Sequence, residues 1–299
     1  MTVHPVRVGT FGGASAFPLV VAERLGLFAS VGLRVETERT TDSGALRRGL
    51  AEERLQVVHL APDNILAWRD GAAAGLDPLT VSAWLGGSNG PIGLVARKAT
   101  TIAGLRGARI GVDATGSGFA PILRRLLASA NVAEGDVELV ELGATRGRAA
   151  ALLDGRVDAT MLTLPWITLA MDAGATVLAD HRAVAPGLLT SCGASLDGWL
   201  DGEGRDLAPA YAGAIDGAIA WLRGREVTEA ATGWLADELG VAPSVAGATL
   251  AVMLDPVTGW PRRSGVTPGA LDAVWRLRAE AVGEPRQAPD AYLRPELLR

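Results

Sequence analysis

One cysteine in 299 residues, Cys192, rules out an internal disulfide and any cysteine-clustered zinc or iron–sulfur site. Histidine is nearly as scarce. His4, His59 and His181 fall at no metal-ligand spacing, so neither a metal nor a cofactor is expected. Long apolar runs are missing too: no stretch reaches the ~18 residues of a membrane span, and no span is expected. The net charge of -5 is mild and no Lys/Arg-rich run or basic stripe occurs, which argues against nucleic acid as a partner. The amino terminus carries no basic region, no apolar leader segment and no lipobox cysteine; Met1-Thr2-Val3-His4-Pro5 runs straight into a strand-like Val6–Phe11. If Met1 is the native start, this reading places the protein in the cytoplasm. If a signal peptide has been removed, the protein is extracytoplasmic.

What is present is apolar material for more than one core. The hydrophobic fraction is 48% and the mean hydropathy is positive, and the length suits two medium domains better than one. Short β runs alternate with helical stretches, the pattern of an α/β protein with largely parallel sheets. Strands are predicted at Val6–Phe11, Leu33–Glu38, Val57–Ala61, Leu79–Trp84 and Ile92–Arg97, with helices at Phe17–Leu27, Ser43–Glu52 and Pro62–Gly71. The glycine-rich Leu85–Gly90 reads as a loop after the fourth strand. The pattern restarts at Arg109–Asp113, Val137–Leu142, Ala159–Leu164 and Ala175–Ala179, with helices between them, and the chain is almost wholly helical from Leu207 onward. A smaller α/β unit is thus inserted into the first: 1–93 and 190–299 form one lobe, 94–189 the other. Two crossings, near 91–97 and 188–194, would act as the hinge.

Four local patterns then resemble the nitrate/sulfonate/thiamine-precursor branch of ABC transporter substrate-binding proteins. The opening strand is followed by Ala22-Glu23-Arg24-Leu25-Gly26-Leu27-Phe28 and Gly32-Leu33-Arg34-Val35. Leu105-Arg106-Gly107-Ala108-Arg109-Ile110-Gly111-Val112 opens the inserted unit. Gly155-Arg156-Val157-Asp158-Ala159 precedes Pro165-Trp166, and the tail reads Pro289-Asp290-Ala291-Tyr292-Leu293-Arg294-Pro295. The resemblance implies a two-lobed, periplasmic-binding-protein-like (type II) α/β fold with a hinge and a helical carboxyl-terminal segment, closing on a small molecule. An ABC permease is the implied partner if the chain is exported. The same fold also hosts pyrimidine synthases, sulfinate desulfinases and menaquinone-pathway lyases, so fold does not fix function.

In open α/β sheets ligands sit beyond the carboxyl ends of strands. Those ends supply the candidate ligand contacts: Phe11, Gly12, Gly13 and Ser15; Asp63 and Asn64; Trp84, Ser88 and Asn89; Thr115, Gly116, Ser117, Gly118 and Phe119; and Trp166. The Thr115–Phe119 run is the foremost, because glycines let backbone N–H groups approach an anion at a helix start. It is not a P-loop, since no lysine follows, and an ordinary strand-to-helix turn needs the same residues. Ser15 serves equally well as the cap of the helix from Phe17. Asp63 fits a first helical turn without any ligand. Trp84 and Trp166 could stack on a flat ligand.

The leading expectation is a solute-binding-type protein closing two lobes around a small anionic organic ligand, with an aromatic one among the candidates. The rival is a cytoplasmic enzyme on the same fold, a lyase, decarboxylase or desulfinase acting on a small aromatic acid. Its candidate catalytic groups would be His59 as acid/base, with Asp63 or Cys192 assisting; a core histidine and an inert buried cysteine are the plain alternatives. A ligand-sensing regulator is a third class, without any appended output domain.

Overall fold

In the opening strand Val6 and Val8 are buried while Pro5 and Arg7 face out, the period-two pattern of a strand with one covered face. The computed structural model describes residues 3–71, 77–116, 118–224, 228–283 and 285–298. The strands are β1 His4–Thr10, β2 Leu33–Arg39, β3 Val57–Leu60, β4 Val81–Ser88, β5 Ile92–Ala96, β6 Arg109–Val112, β7 Glu138–Glu141, β8 Ala159–Thr163, β9 Thr176–Asp180 and β10 Ser191–Leu196. They form two five-stranded sheets, ordered β2-β1-β3-β10-β4 and β7-β6-β8-β5-β9. β3 and β5 are buried throughout, as expected for strands covered on both faces.

The sheets are mixed, not largely parallel. β1 runs parallel to β2 and β3, and β6 parallel to β7 and β8. β10 and β5 enter antiparallel to both of their neighbours. The physical reason is the connectivity: these are the two strands that follow a passage from one sheet to the other. The passages lie between Ser88 and Ile92 and between Asp180 and Ser191, just ahead of the positions expected from sequence.

The helices are α1 Phe17–Arg24, α2 Leu27–Ser30, α3 Ser43–Ala51, α4 Asp63–Asp70, α5 Ala120–Ser129, α6 Thr145–Leu153, α7 Trp166–Asp172, α8 Asp197–Asp201, α9 Gly204–Leu222, α10 Thr228–Leu239, α11 Pro243–Met253 and α12 Asp272–Ala281. The single helix expected over Phe17–Leu27 divides at Gly26, whose left-handed backbone starts α2. The glycine-rich segment after Trp84 is strand rather than loop. Gly86 pairs with Cys192 of β10, and Gly87 is the residue passed over at the register shift before Ser88 and Ser191, where a Cβ on Gly87 would lie 2.9 Å from the Ser191 carbonyl oxygen.

The carboxyl-terminal helices largely cover the first sheet: α9 packs on α1 and α2, and α10 on α11. α12 differs. It packs on α4 beside the first sheet and on α5 beside the second, with Arg125 and Glu280 paired at 2.7 Å. No single helix among the described residues is long and apolar enough to cross a membrane.

Candidate functional site

Strand direction fixes where a site can form. β1, β3, β6 and β8 all end at the same gap between the sheets, and the loops leaving them carry the chain into helix starts. A cavity of about 360 Å³ lies there. Thr10, His59, Ala61, Asn64 and Ser88 line one wall, and Asp113, Phe119, Arg148 and Thr163 the other. The residues at or just before the starts of α3 and α6, Ser43 and Thr145, lie on its rim. The walls meet at the mouth, where the Ala144 N–H donates to the Thr41 carbonyl at 3.1 Å. Gly143 permits that approach: its φ is +67° and a Cβ would come within 2.8 Å of the same oxygen.

Arg148 dominates the electrostatics of the inner wall. It projects from the buried stripe of α6 with Ala149, Ala151 and Leu152, and is 1% exposed. Its Nε donates to the Met161 carbonyl at 3.1 Å, Nη2 to Thr145 Oγ1 at 3.1 Å, and Nη1 to the Gly143 carbonyl. The guanidinium also sits over the Phe119 ring, 5.9 Å from its centroid. All three partners are neutral oxygens, and no ion pair engages it among the described residues. Burial pulls its pKa down while the charge of Asp113 holds it up, yet a guanidinium stays protonated.

Three carboxylates also face the cavity, and each is already engaged. Asp113 accepts from the Phe119 N–H at 3.2 Å, and burial raises its pKa against the pull of Arg148. Glu141, exposed at the rim, accepts from Thr115 N–H and Oγ1, both at 2.8 Å, which lowers its pKa. Asp42 caps α3 through Gly44 and Ala45 and pairs with Arg48.

His59 is the counterpart on the other wall. Its Nε2 lies 2.8 Å from the Tyr211 hydroxyl, and burial pushes its pKa down to about 4, so the imidazole is neutral near pH 7. Asp63 is raised to about 6 by burial, against the opposing pull of Arg278. The two groups give stability opposite pH slopes. Between 6.5 and about 4 the unfolded chain takes up a proton that folded His59 refuses, so its contribution is complete above 6.5 and is lost as pH falls. The share of Asp63 is complete below 3.8 and is lost as pH rises to about 6. A His59→Phe variant removes only the first. Its melting temperature should therefore fall less than that of the parent between about pH 7 and about pH 4.5. An unchanged profile would contradict a neutral, buried imidazole.

The structure gathers some of the sequence candidates and disperses others. Phe11, Gly12, Ser15, Asn64, Ser88 and Phe119 line the cavity, as does His59. Gly13 and Asn89 do not; the Asn89 N–H donates to the Gly259 carbonyl at 2.8 Å. Ser15 is no helix cap, because α1 starts from Ala16 without a side-chain cap. Asp63 turns away to Arg278, 3.1 Å from Nη1, and borders a separate void of about 20 Å³ with Gly118. Thr115 is committed to Glu141, and the Gly116 carbonyl accepts from Arg278 at 3.3 Å. Ser117 lies outside the described residues. Gly118 is needed for conformation: its φ is +71°, and a Cβ would collide with Asp113. Trp84 is 0% exposed within β4, its Nε1–H donating to Ser195 Oγ at 3.0 Å, because the strand runs on four residues past it. Trp166 packs beneath Arg146, 5.8 Å from the ring centroid, outside the cavity lining.

Cys192 is also sealed. At 0% exposure in β10, its thiol is pushed far above the ordinary range by burial, with no cation among the described residues to offset it. A thiol-specific disulfide reagent should leave it unmodified in the folded protein and label it fully in denaturant. Labelling of the native state within minutes would contradict this placement.

The model of the NMT1-like family matches residues 2–187, more than half of the chain. The chain belongs to the NMT1-like family. No curated protein matches it significantly. Among solved structures, the ligand-binding component of an ABC-type import system from Staphylococcus aureus, with zinc bound, superposes with a TM-score of 0.80 at 14% identity, covering 99% of this chain and 98% of that one. The periplasmic aliphatic sulphonate binding protein of Escherichia coli gives 0.70 at 17% identity over 97% and 99%. A desulfurization enzyme gives 0.61 at 19% identity over 99% and 97%. At these identities the likeness establishes the fold: this member of the NMT1-like family has the two-lobed, periplasmic-binding-protein-like architecture. Sequence reasoning missed Arg148, Asp113 and the rim at Thr41–Ser43. A signal for Arg148 existed, since a charged residue on the apolar stripe of a helix needs an explanation.

Proposed function

We propose that this protein is the solute-binding component of an import system and holds a small organic anion between its two sheets. The observation that carries the reading is Arg148, a buried guanidinium without an ion pair among the described residues, on the wall of a cavity of about 360 Å³. Among the described residues, protein oxygens use three of its five N–H donors and leave two, enough for one carboxylate or sulfonate. Helix starts at the rim add partial positive charge. The two lobes, 1–93 with 190–299 and 94–189, would close by hinge motion about the two passages between the sheets, the closed state being selected by contacts to the ligand.

The solved relatives named for import and periplasmic sulphonate binding support this reading, along with an extracytoplasmic location and an ABC permease as partner. The enzyme reading finds little support in its own candidates, because Cys192 is sealed off and Asp63 is held by Arg278. Native mass spectrometry of protein from its own source tests the proposal. The expected result is an anionic small molecule that remains bound and chemically unchanged through repeated measurement. A co-purified molecule that turns into a second species on incubation would overturn it in favour of an enzyme.

A further inference from the structure

The Tyr211 hydroxyl fixes more than the position of His59. Tyr211 is 0% exposed, packed between Phe28, stacked at 5.1 Å, and Trp84, met edge-on at 5.9 Å. Among the described residues its hydroxyl has a single polar neighbour, His59 Nε2 at 2.8 Å. A buried O–H that finds no acceptor forfeits a hydrogen bond at full desolvation cost, so the hydroxyl proton must point to Nε2. Nε2 is then the acceptor of a neutral ring, and the ring proton resides on Nδ1. The opposite tautomer would send Nε2–H toward the hydroxyl and leave the tyrosine proton without an acceptor.

Nδ1 has no protein partner among the described residues and is not among the sealed unpaired polar atoms. His59 keeps 7% of its surface exposed, and it is part of the cavity wall. The ring therefore offers a fixed, uncharged donor from the first sheet, across the gap from Arg148 beside the second. The cavity is also far larger than an inorganic oxyanion, which a single charged group could hold.

We propose that His59 is a specificity-determining donor, and that the bound anion carries a neutral acceptor, a carbonyl, ether or ring nitrogen, at the end away from its charge. This rests on reading the cavity as an organic-anion site. Its role is recognition without proton transfer: Nδ1–H stays on the ring, Tyr211 holds the tautomer, and Arg148 supplies the charge.

Two measurements test it. Long-range ¹H–¹⁵N correlation spectra of histidine-labelled protein, assigned with His59→Phe, should show the Nδ1–H tautomer without any ligand. They should show loss of that preference in Tyr211→Phe. An Nε2–H tautomer or an imidazolium near neutral pH overturns the inference. Calorimetric titrations with benzenesulfonate and pyridine-3-sulfonate, which differ by one ring acceptor, are then compared in the parent, His59→Phe and Arg148→Gln. The parent should prefer pyridine-3-sulfonate by ~10-fold, the scale of one neutral hydrogen bond, His59→Phe should abolish the preference, and Arg148→Gln should weaken both ligands alike. A preference that survives His59→Phe, or equal affinities in the parent, overturns the role of His59 and leaves the anion site standing. Failure of both sulfonates to bind the parent, with amines binding instead, sinks the anion reading; the spectra still decide the tautomer.

Discussion

Replacing Arg278 with methionine is expected to lower the stability of the protein by ~3–5 kcal/mol, because it leaves Asp63 in the interior without its partner, so that the carboxyl must take up a proton or hold a bare charge. Asp63 is 5% and Arg278 2% exposed, and Nη1 reaches both carboxylate oxygens at 3.1 Å. The same nitrogen donates to the Gly116 carbonyl at 3.3 Å, so the pair ties α4 and α12 to a loop of the second sheet. The pair is not ideally compensated, since Nη2 is buried without a partner among the described residues. For that reason the double variant Asp63→Leu/Arg278→Met should recover most of the loss, as buried pairs replaced by packed apolar groups often do. Chemical denaturation of the single and double variants checks both steps. A single variant as stable as the parent, or a double variant as unstable as the single, would show that the pair does not act as described.

Replacing Arg148 with glutamine should weaken binding of a small organic anion by roughly 10–100-fold, the range for a lost charge-assisted hydrogen bond of about 1.5–3 kcal/mol. Glutamine retains an amide donor for one of the carbonyls of Met161 and Gly143, so the wall is kept while the charge is removed. Affinity for a neutral isostere of the same ligand should change little. Circular dichroism melts separate a damaged fold from a damaged site. A folded variant that binds the anion as the parent does would remove Arg148 from the site.

The sequence made the fold legible because its strongest signals are local. The period-two pattern of β1, the apolar runs of β3 and β5 and the glycines of the strand-to-helix turn before Phe119 sit where elements begin and end. Strand direction was not legible. Nothing in Ile92–Ala96 or Ser191–Leu196 marks those strands as antiparallel, since that follows from passage between sheets. The site was half legible for the same reason. Strand ends identify Phe11, Ser88 and Phe119 by position along the chain, whereas Trp84 looked like a strand end only because Gly86 and Gly87 read as a loop. Arg148 and Arg278 share a pattern: each is a charge on an otherwise apolar helical stripe, beside Ala149, Ala151 and Leu152 or beside Val274 and Leu277. One meets a carboxylate and one meets the cavity. Only the packing of α4 against α12 tells them apart.

Calorimetric titration of the parent and Arg148→Gln with matched organic sulfonates, carboxylates and amines of similar size tests the anion site most directly. The parent should bind at least one anion saturably, the variant should lose at least tenfold in affinity, and the amines should not bind. Binding of amines in preference to anions, or anion affinity indifferent to Arg148, would contradict an anion site built on Arg148.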